Sequence, residues 1–311
     1  MKALRSALGR FEAKVFAALF ALWLMSACKG IQPASSEAPR APQSARQVEA
    51  FSPSSLVCNP LTEGSGTDTD PVEPSAGIRG RLFSIPNWET CLWARNCLQI
   101  PVDGFLAEGT DLGMNLFFQD INVPTRLFTA GFETQSGEVI RNPQGEVVYE
   151  WFGLDLQAQI KLGPNDPAGQ YQFALISDDG VILDLDTTGQ GLQPAIQDPL
   201  IHAPKLSCAS QTVTLSAASK IPMRLRYFQG PRFHIALQLL WRLNPTTLQT
   251  SHCGEQGTHL YHNPDTTPST PQAAYEQLLS EGWRPLGPEN FELPSSSGNN
   301  PCGPIGGGIG I

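Results

Sequence analysis

Residues 169–186 read Gly-Gln-Tyr-Gln-Phe-Ala-Leu-Ile-Ser-Asp-Asp-Gly-Val-Ile-Leu-Asp-Leu-Asp. Two apolar runs, residues 170–176 (QYQFALI) and 181–185 (VILDL), flank a short polar Ser-Asp-Asp-Gly, the pattern of two strands joined by a turn. The same texture returns in residues 212–215, 223–228 (MRLRYF) and 233–241 (FHIALQLLW). In the last run Ile235, Leu237, Leu239 and Trp241 fall on one face of a strand, with His234, Ala236, Gln238 and Leu240 on the other. No long amphipathic helix competes, and residues 273–280 have the length of a short one. The stretch from Gly77 to Asn244 therefore reads as all-β. About 170 residues are ample for a single antiparallel β-sandwich core.

Upstream of this block the sequence changes character twice. Lys2, Arg5, Arg10 and Lys14 precede eleven apolar residues, 15–25 (VFAALFALWLM), the layout of a secretory signal. That run is too short to span the roughly 30 Å of hydrocarbon that needs about 20 residues. It ends Met25-Ser26-Ala27-Cys28, which resembles the lipobox of bacterial lipoproteins, with Met25 where Leu is usual. The resemblance implies that residues 1–27 are removed and that Cys28 is acylated, which makes a membrane the first partner. Lys29, where an inner-membrane retention signal would place Asp, leans towards the outer membrane or cell surface. Residues 28–75 are rich in Pro, Ala, Ser, Glu and Gln. They carry too little apolar surface to offset the entropy of ordering, so they read as a flexible tether. Asp68 and Asp70 within it read as solvated charge. Beyond Pro245, residues 245–311 form a Pro-rich appendage with a Ser/Gly tail.

The formal net charge is −9. Loss of residues 1–27 takes away four basic residues and Glu12, a net loss of three positive charges, so the mature chain stands at −12. An acidic chain lacks the Lys and Arg that phosphates require, which argues against a nucleic-acid partner.

Six cysteines remain besides Cys28, and an even number in an exported chain reads as disulfides. Nearness in sequence favours Cys91–Cys97. The pair flanking the appendage suggests Cys253–Cys302, and Cys58–Cys208 follows by elimination.

Asp178-Asp179-Gly180 carries the chemistry. Its plain reading is a hairpin turn in which Gly180 supplies a positive φ. A second adjacent aspartate adds repulsion that a turn does not need. Neighbouring side chains of a strand point to opposite faces, so both carboxylates reach one ion only through unusual backbone, such as a cis peptide bond. Hard oxygen donors of this kind suit Ca²⁺.

Around this turn lie Trp151-Phe152-Gly153-Leu154, then residues 221–228 (IPMRLRYF), then Leu239-Leu240-Trp241. In this order and spacing they resemble a PA14 domain, a β-sandwich module of a bacterial toxin protective antigen, glycosidases and fungal adhesins. The likeness covers residues 77 to 242. It implies a PA14-like sandwich and, by analogy with the adhesins, a cis Asp-Asp pair that binds Ca²⁺ and through it sugar hydroxyls. Asp178 and Asp179 match that pair. The adhesins add an asparagine from a later loop; here residues 228–233 offer Gln229, Gly230 and Arg232 and no Asn. The ligand-binding set on this reading is Asp178, Asp179, Gly180 and Gln229. Asp186 matches an aspartate common in the family, and with Asp184 it would extend an acidic groove or simply form a polar strand face.

Adjacent aspartates cannot easily flank a glycosidic bond as a retaining hydrolase requires. His252, Cys253, His259 and His262 have ligand types for zinc at an unfamiliar spacing. No nucleophile motif stands out, so no enzyme is expected. Two readings stay open: a glycan-binding module, or a structural or protein-interaction module of the cell envelope that binds neither sugar nor calcium.

Overall fold

The structure, a computed structural model, describes residues 55–61, 73–85, 99–129, 131–134, 136–248 and 252–302. Cys28, Asp68, Asp70, Cys91 and Cys97 lie outside the described residues, as does the C-terminal glycine-rich tail. In chain order the strands are Leu56–Cys58 (β1), Ile78–Ser84 (β2), Thr110–Asp111 (β3), Asn115–Phe118 (β4), Asn122–Arg126 (β5) and Phe152–Ile160 (β6). They continue as Gly169–Asp178 (β7), Val181–Leu185 (β8), Gln193–Asp198 (β9), Lys205–Leu215 (β10), Ile221–Gln229 (β11) and Ile235–Leu243 (β12). Short strands follow at His262–Asn263 (β13), Thr270–Pro271 (β14), Arg284–Pro285 (β15) and Phe291–Glu292 (β16). Two helices, Val102–Glu108 (α1) and Ala273–Ser280 (α2), complete the set used below.

Two sheets face each other. One runs β1-β4-β2-β6-β11-β8-β9, with β16 also on β6 and β3 on β2; the other runs β10-β7-β12-β15, with β5 also on β12. The pairing is antiparallel except for β1 with β4, which is parallel, a departure from the wholly antiparallel sandwich expected. The core between the sheets takes Tyr171, Phe173 and Leu175 from β7 and Leu183 from β8. It takes Leu225 and Tyr227 from β11, and Ile235, Leu237, Leu239 and Trp241 from β12. The face assigned to β12 from alternation is thus the core face. The strand itself begins at Ile235, two residues later than the apolar run, because Phe233 turns outward to solvent.

The outer faces are covered as well, which is why β7 and β12 are apolar on both sides. On the second sheet, Ala174, Ile176, Ala236 and Leu240 lie beneath Tyr261, Tyr275, Leu278 and Trp283 of the C-terminal segment. On the first, Val102 and Phe105 of α1 pack on Ile182 and Phe228, with the Phe105 and Phe228 rings stacked at 4.3 Å. This seven-residue helix was not expected from the sequence.

The disulfides correct the pairing inferred from spacing. Cys208 bonds Cys253, and Cys58 bonds Cys302. The C-terminal segment starts against β10, where the Gly254 N–H donates to the Leu206 carbonyl at 2.7 Å. It ends beside β1, where Cys302 and Leu293 meet Leu56 and Phe117. Cys253 and Cys302 therefore belong to opposite ends of one segment laid across the sandwich, each fastened to a different strand.

Candidate functional site

β7 ends at Asp178 and β8 begins at Val181, so Asp179 and Gly180 make the connection. The Asp178–Asp179 peptide bond is cis. Both side chains are nearly buried, at 8% and 2% exposure, and their carboxyls share a hydrogen bond. Asp179 is held from two sides: Oδ1 accepts the His202 backbone N–H at 3.1 Å, and Oδ2 accepts the Gly230 N–H at 2.8 Å. Tyr227 sets its hydroxyl between the Asp178 carbonyl and Gln229 Oε1, donating to one or the other. The corner thus knits β7 and β8 to residues 199–202 and to the loop that leaves β11.

Gly180 is required, but not for the reason the turn suggested. Its φ is not positive. A Cβ there would lie 2.5 Å from the Phe228 ring and 2.7 Å from the Pro199 carbonyl group. Gly230 is similarly pressed, with a Cβ falling 2.9 Å from Asp179 Oδ2. Close backbone approach, rather than left-handed conformation, selects glycine at both places.

Burial, then the charge of Asp179, raises the Asp178 carboxyl well above the ordinary carboxylate range. Burial also raises Asp179, opposed by the N–H groups of Gly230 and His202. Among the described residues no Lys or Arg pairs with either carboxylate. Two desolvated acids in contact must share a proton or find a cation.

The other residues singled out from sequence are placed as follows. Gln229 is buried; its Nε2 donates to the carbonyls of Pro231 at 3.2 Å and His234 at 2.9 Å, so its carboxamide braces the loop. Arg232 pairs with Glu150 at 2.6 Å and lies 4.9 Å over the Tyr149 ring. Asp184 is buried and paired with Arg226, which also meets Asp103. Asp186 accepts the N–H groups of Thr188, Gly189 and Gly191 and closes its own turn. These two acids form no common groove. The histidines are likewise dispersed in role. His252 bonds Glu255, His259 bonds Asp265, and His262 is buried against the Tyr275 ring at 4.3 Å. Among the described residues no three His, Cys, Asp or Glu side chains converge as a metal cluster.

Two further residues belong to the corner. His202 and Tyr227 act through a backbone N–H and a buried hydroxyl, for which sequence has no signal. Phe233 is apolar enough to read as strand, yet it follows Gly230-Pro231, a turn signal, and lies outside β12.

The Asp178–Asp179 corner joins β7 to β8, while residues 221–228 form the strand next to β8 and Leu239-Leu240-Trp241 sits in β12 beside β7. The segments that carry the PA14 resemblance thus adjoin one another in a two-sheet β-sandwich. No family model matches the sequence, and no curated protein matches it. Solved structures similar to it include the epithelial adhesin 9 A domain from Candida glabrata in complex with Galβ1-4GlcNAc. That likeness has 16% identity and a TM-score of 0.38, covering 61% of this chain and 90% of that one. A PA14 sugar-binding domain from an RTX adhesin shows 14% identity and a TM-score of 0.38, over 54% and 90% of the two chains. The PA14 domain of the MpAFP antifreeze protein shows 13% identity and a TM-score of 0.37, over 62% and 93%.

Proposed function

We propose that the Asp178–Asp179 corner of this PA14-like module binds calcium and, through it, the hydroxyls of a glycan. We further propose that a lipid on Cys28 holds the module to a membrane outside the cytoplasm. One observation carries the binding reading: two nearly buried carboxylates lie in contact with no basic partner among the described residues. A divalent cation removes their repulsion and satisfies oxygens that burial has stripped of water. The donors are hard oxygens, as Ca²⁺ requires. Asp179 spends one lone pair of each oxygen on a backbone N–H and keeps others for an ion. Two carboxylates fill only part of a shell of roughly six to eight oxygens, leaving positions for loop carbonyls, water and ligand hydroxyls. Calcium would supply the positive charge that draws those hydroxyls in; the protein's part is to fix the two acids and exclude competing cationic side chains.

One observation favours the alternative of a structural or protein-interaction module. Both Asp179 oxygens already tie down loops, so the corner has work to do without any ion. Calorimetric titration with CaCl₂ separates the two readings, together with a glycan array run with and without chelator. Wild-type protein is expected to bind calcium and to retain glycans only when calcium is present. Asp178→Asn, which keeps shape and removes one charge, is expected to lose both. Asp178 is the better target because Asp179→Ala strips two loops of their acceptor. Calcium-independent melting and a blank array from a folded wild type would leave the scaffold reading standing.

A further inference from the structure

We infer that the free edge of β10 is a self-pairing surface, along which a second copy of this chain adds its own β10 antiparallel about a two-fold axis at Val213. The inference is independent of the calcium and glycan reading. Val213 pairs with Tyr171, near the start of β7, whereas the Asp178–Asp179 corner lies at its end.

β10 has eleven residues, yet it stands at the edge of its sheet with β7 on one side only. Its other edge is occupied just at the start. There the Leu206 N–H donates to the Glu255 carbonyl, the Leu206 carbonyl accepts the Gly254 N–H, and Lys205 bridges to Gln256. From Ser207 onward no strand covers this edge among the described residues. β9, the edge strand of the facing sheet, does not close on it. Lys205 and Ser207 both donate to Asp198 at the end of β9. Beyond that clasp the two strands flank an open groove of about 500 Å³, lined by Gln197, Ser207 and Ser210 among others.

The register follows from hydrogen bonds already made. The Gln170 N–H donates to Asn244 Oδ1, and the Gln170 carbonyl accepts the Asn244 N–H. Thr214, opposite Gln170 in β10, therefore turns its own N–H and carbonyl away from β7. Thr212 does the same by alternation. A two-fold axis at Val213 sets Thr212 of each copy opposite Thr214 of the other, which completes four backbone hydrogen bonds in a regular antiparallel ladder. Threonine faces threonine, a favourable cross-strand pair. Val213, partly buried against the core, meets Val213 of the second copy. The register shift between Cys208 and Thr212 and the turn at Ser216–Ser219 bound this regular stretch. Each copy thus has one seam, used once, and the pairing closes as a dimer.

Charge selects a second copy as the occupant. The chain carries a formal −9, so two copies meet most easily where no acids face each other. Residues 206–219 hold no charged side chain and no proline, the two devices that commonly blunt an exposed edge. β9 has one of them in Pro194. Leu192, 40% exposed, precedes β9 at the end of the sandwich where β10 finishes. It adds apolar surface there. Pairing would extend the sheet from β12 through β7 and β10 into the second copy. Because the strands run antiparallel, the two Asp178–Asp179 corners then point in opposite directions, and one dimer presents them to separate ligands.

The test uses the full-length chain made in a bacterial host, treated with a mild oxidant and run on gels without reductant. Val213→Cys puts two thiols at a non-hydrogen-bonded pair, with Cα atoms about 4.5 Å apart and within disulfide reach. It is expected to run as a covalent dimer. Glu276→Cys, exposed on α2, is expected to stay monomeric. Adding Thr212→Glu and Thr214→Glu to Val213→Cys sets like charges across the seam and is expected to abolish the dimer. Thr212→Lys with Thr214→Lys should do the same, and making the Glu and Lys versions together should restore it. Wild type, which needs no substitution to fold, is followed by sedimentation and is expected to gain mass as its concentration rises. A wild type that stays monomeric at every concentration overturns the proposal. So does equal cross-linking of Glu276→Cys, or a dimer indifferent to the charge changes. A linked band of any other mass gives the edge to a foreign strand and overturns self-pairing.

Discussion

Gly180 occupies a point where three pieces of chain meet, with Pro199 backbone on one side and the Phe228 ring on the other. Ring atoms can shift a little, but a backbone carbonyl held by its own hydrogen bond to Val102 N–H cannot move cheaply. Gly180→Ala is therefore expected to lower stability by about 1–3 kcal/mol, the usual cost of overpacking. Thermal melting checks this, and an unchanged melting temperature would show that residues 199–202 do not press on the turn. The residue types at the corner were legible in the sequence, since two acids followed by glycine between apolar strands is an unusual expense of charge. The cause of the glycine was not. A turn needing positive φ and a contact needing no Cβ select the same residue, and only neighbours remote in sequence tell them apart. For the same reason Gln229 could be nominated from its position, whereas its bracing bonds to Pro231 and His234 depend on how the loop closes.

At the scale of elements, alternation was readable wherever a strand presents one apolar face to the core, as in Ile235, Leu237, Leu239 and Trp241. What it could not show is the cover on the opposite face. Ala236 and Leu240 read as an undistinguished second side, and only the folded-back segment with Tyr275, Leu278 and Trp283 explains them. α1 is too short for helical periodicity to emerge. The docking of the C-terminal segment should be sensitive to acid through His262 in β13. Burial lowers this imidazole from its ordinary value to about 4, so the folded chain holds it neutral while the unfolded chain protonates it near 6.5. Above about pH 6.5 both states are neutral and nothing is lost. Between there and about 4 the unfolded state binds the extra proton, so stability falls as pH falls. The loss from this one group is at most about 3 kcal/mol. His262→Phe, which keeps an aromatic ring against Tyr275, is expected to flatten that part of the pH–melting curve. Identical slopes for the two proteins between pH 7 and pH 4 would rule His262 out as the acid-sensitive group.

At the scale of the whole molecule, the two disulfides fasten both ends of the C-terminal segment, one to β10 and one to β1. Spacing alone misassigned them, because covalent partners follow the path of the folded chain and not the order of its cysteines. With Cys58, Cys208, Cys253 and Cys302 so engaged, their thiols are unavailable for acylation. A lipid-bearing thiol must come from Cys28, Cys91 or Cys97, and the lipobox resemblance points to Cys28. Two or more acyl chains give stable membrane attachment where one is marginal, and a tether after Cys28 would let the acidic domain stand clear of anionic headgroups. In a bacterial host fed radiolabelled palmitate, the full-length chain is expected to take up label and follow the membrane fraction. Cys28→Ser should abolish both. Removing Cys91 and Cys97 together should abolish neither. Label that persists in Cys28→Ser but vanishes when the other two cysteines are replaced would move the anchor into the segment between β2 and α1. The proposed tether would then have no role in holding the sandwich away from the membrane.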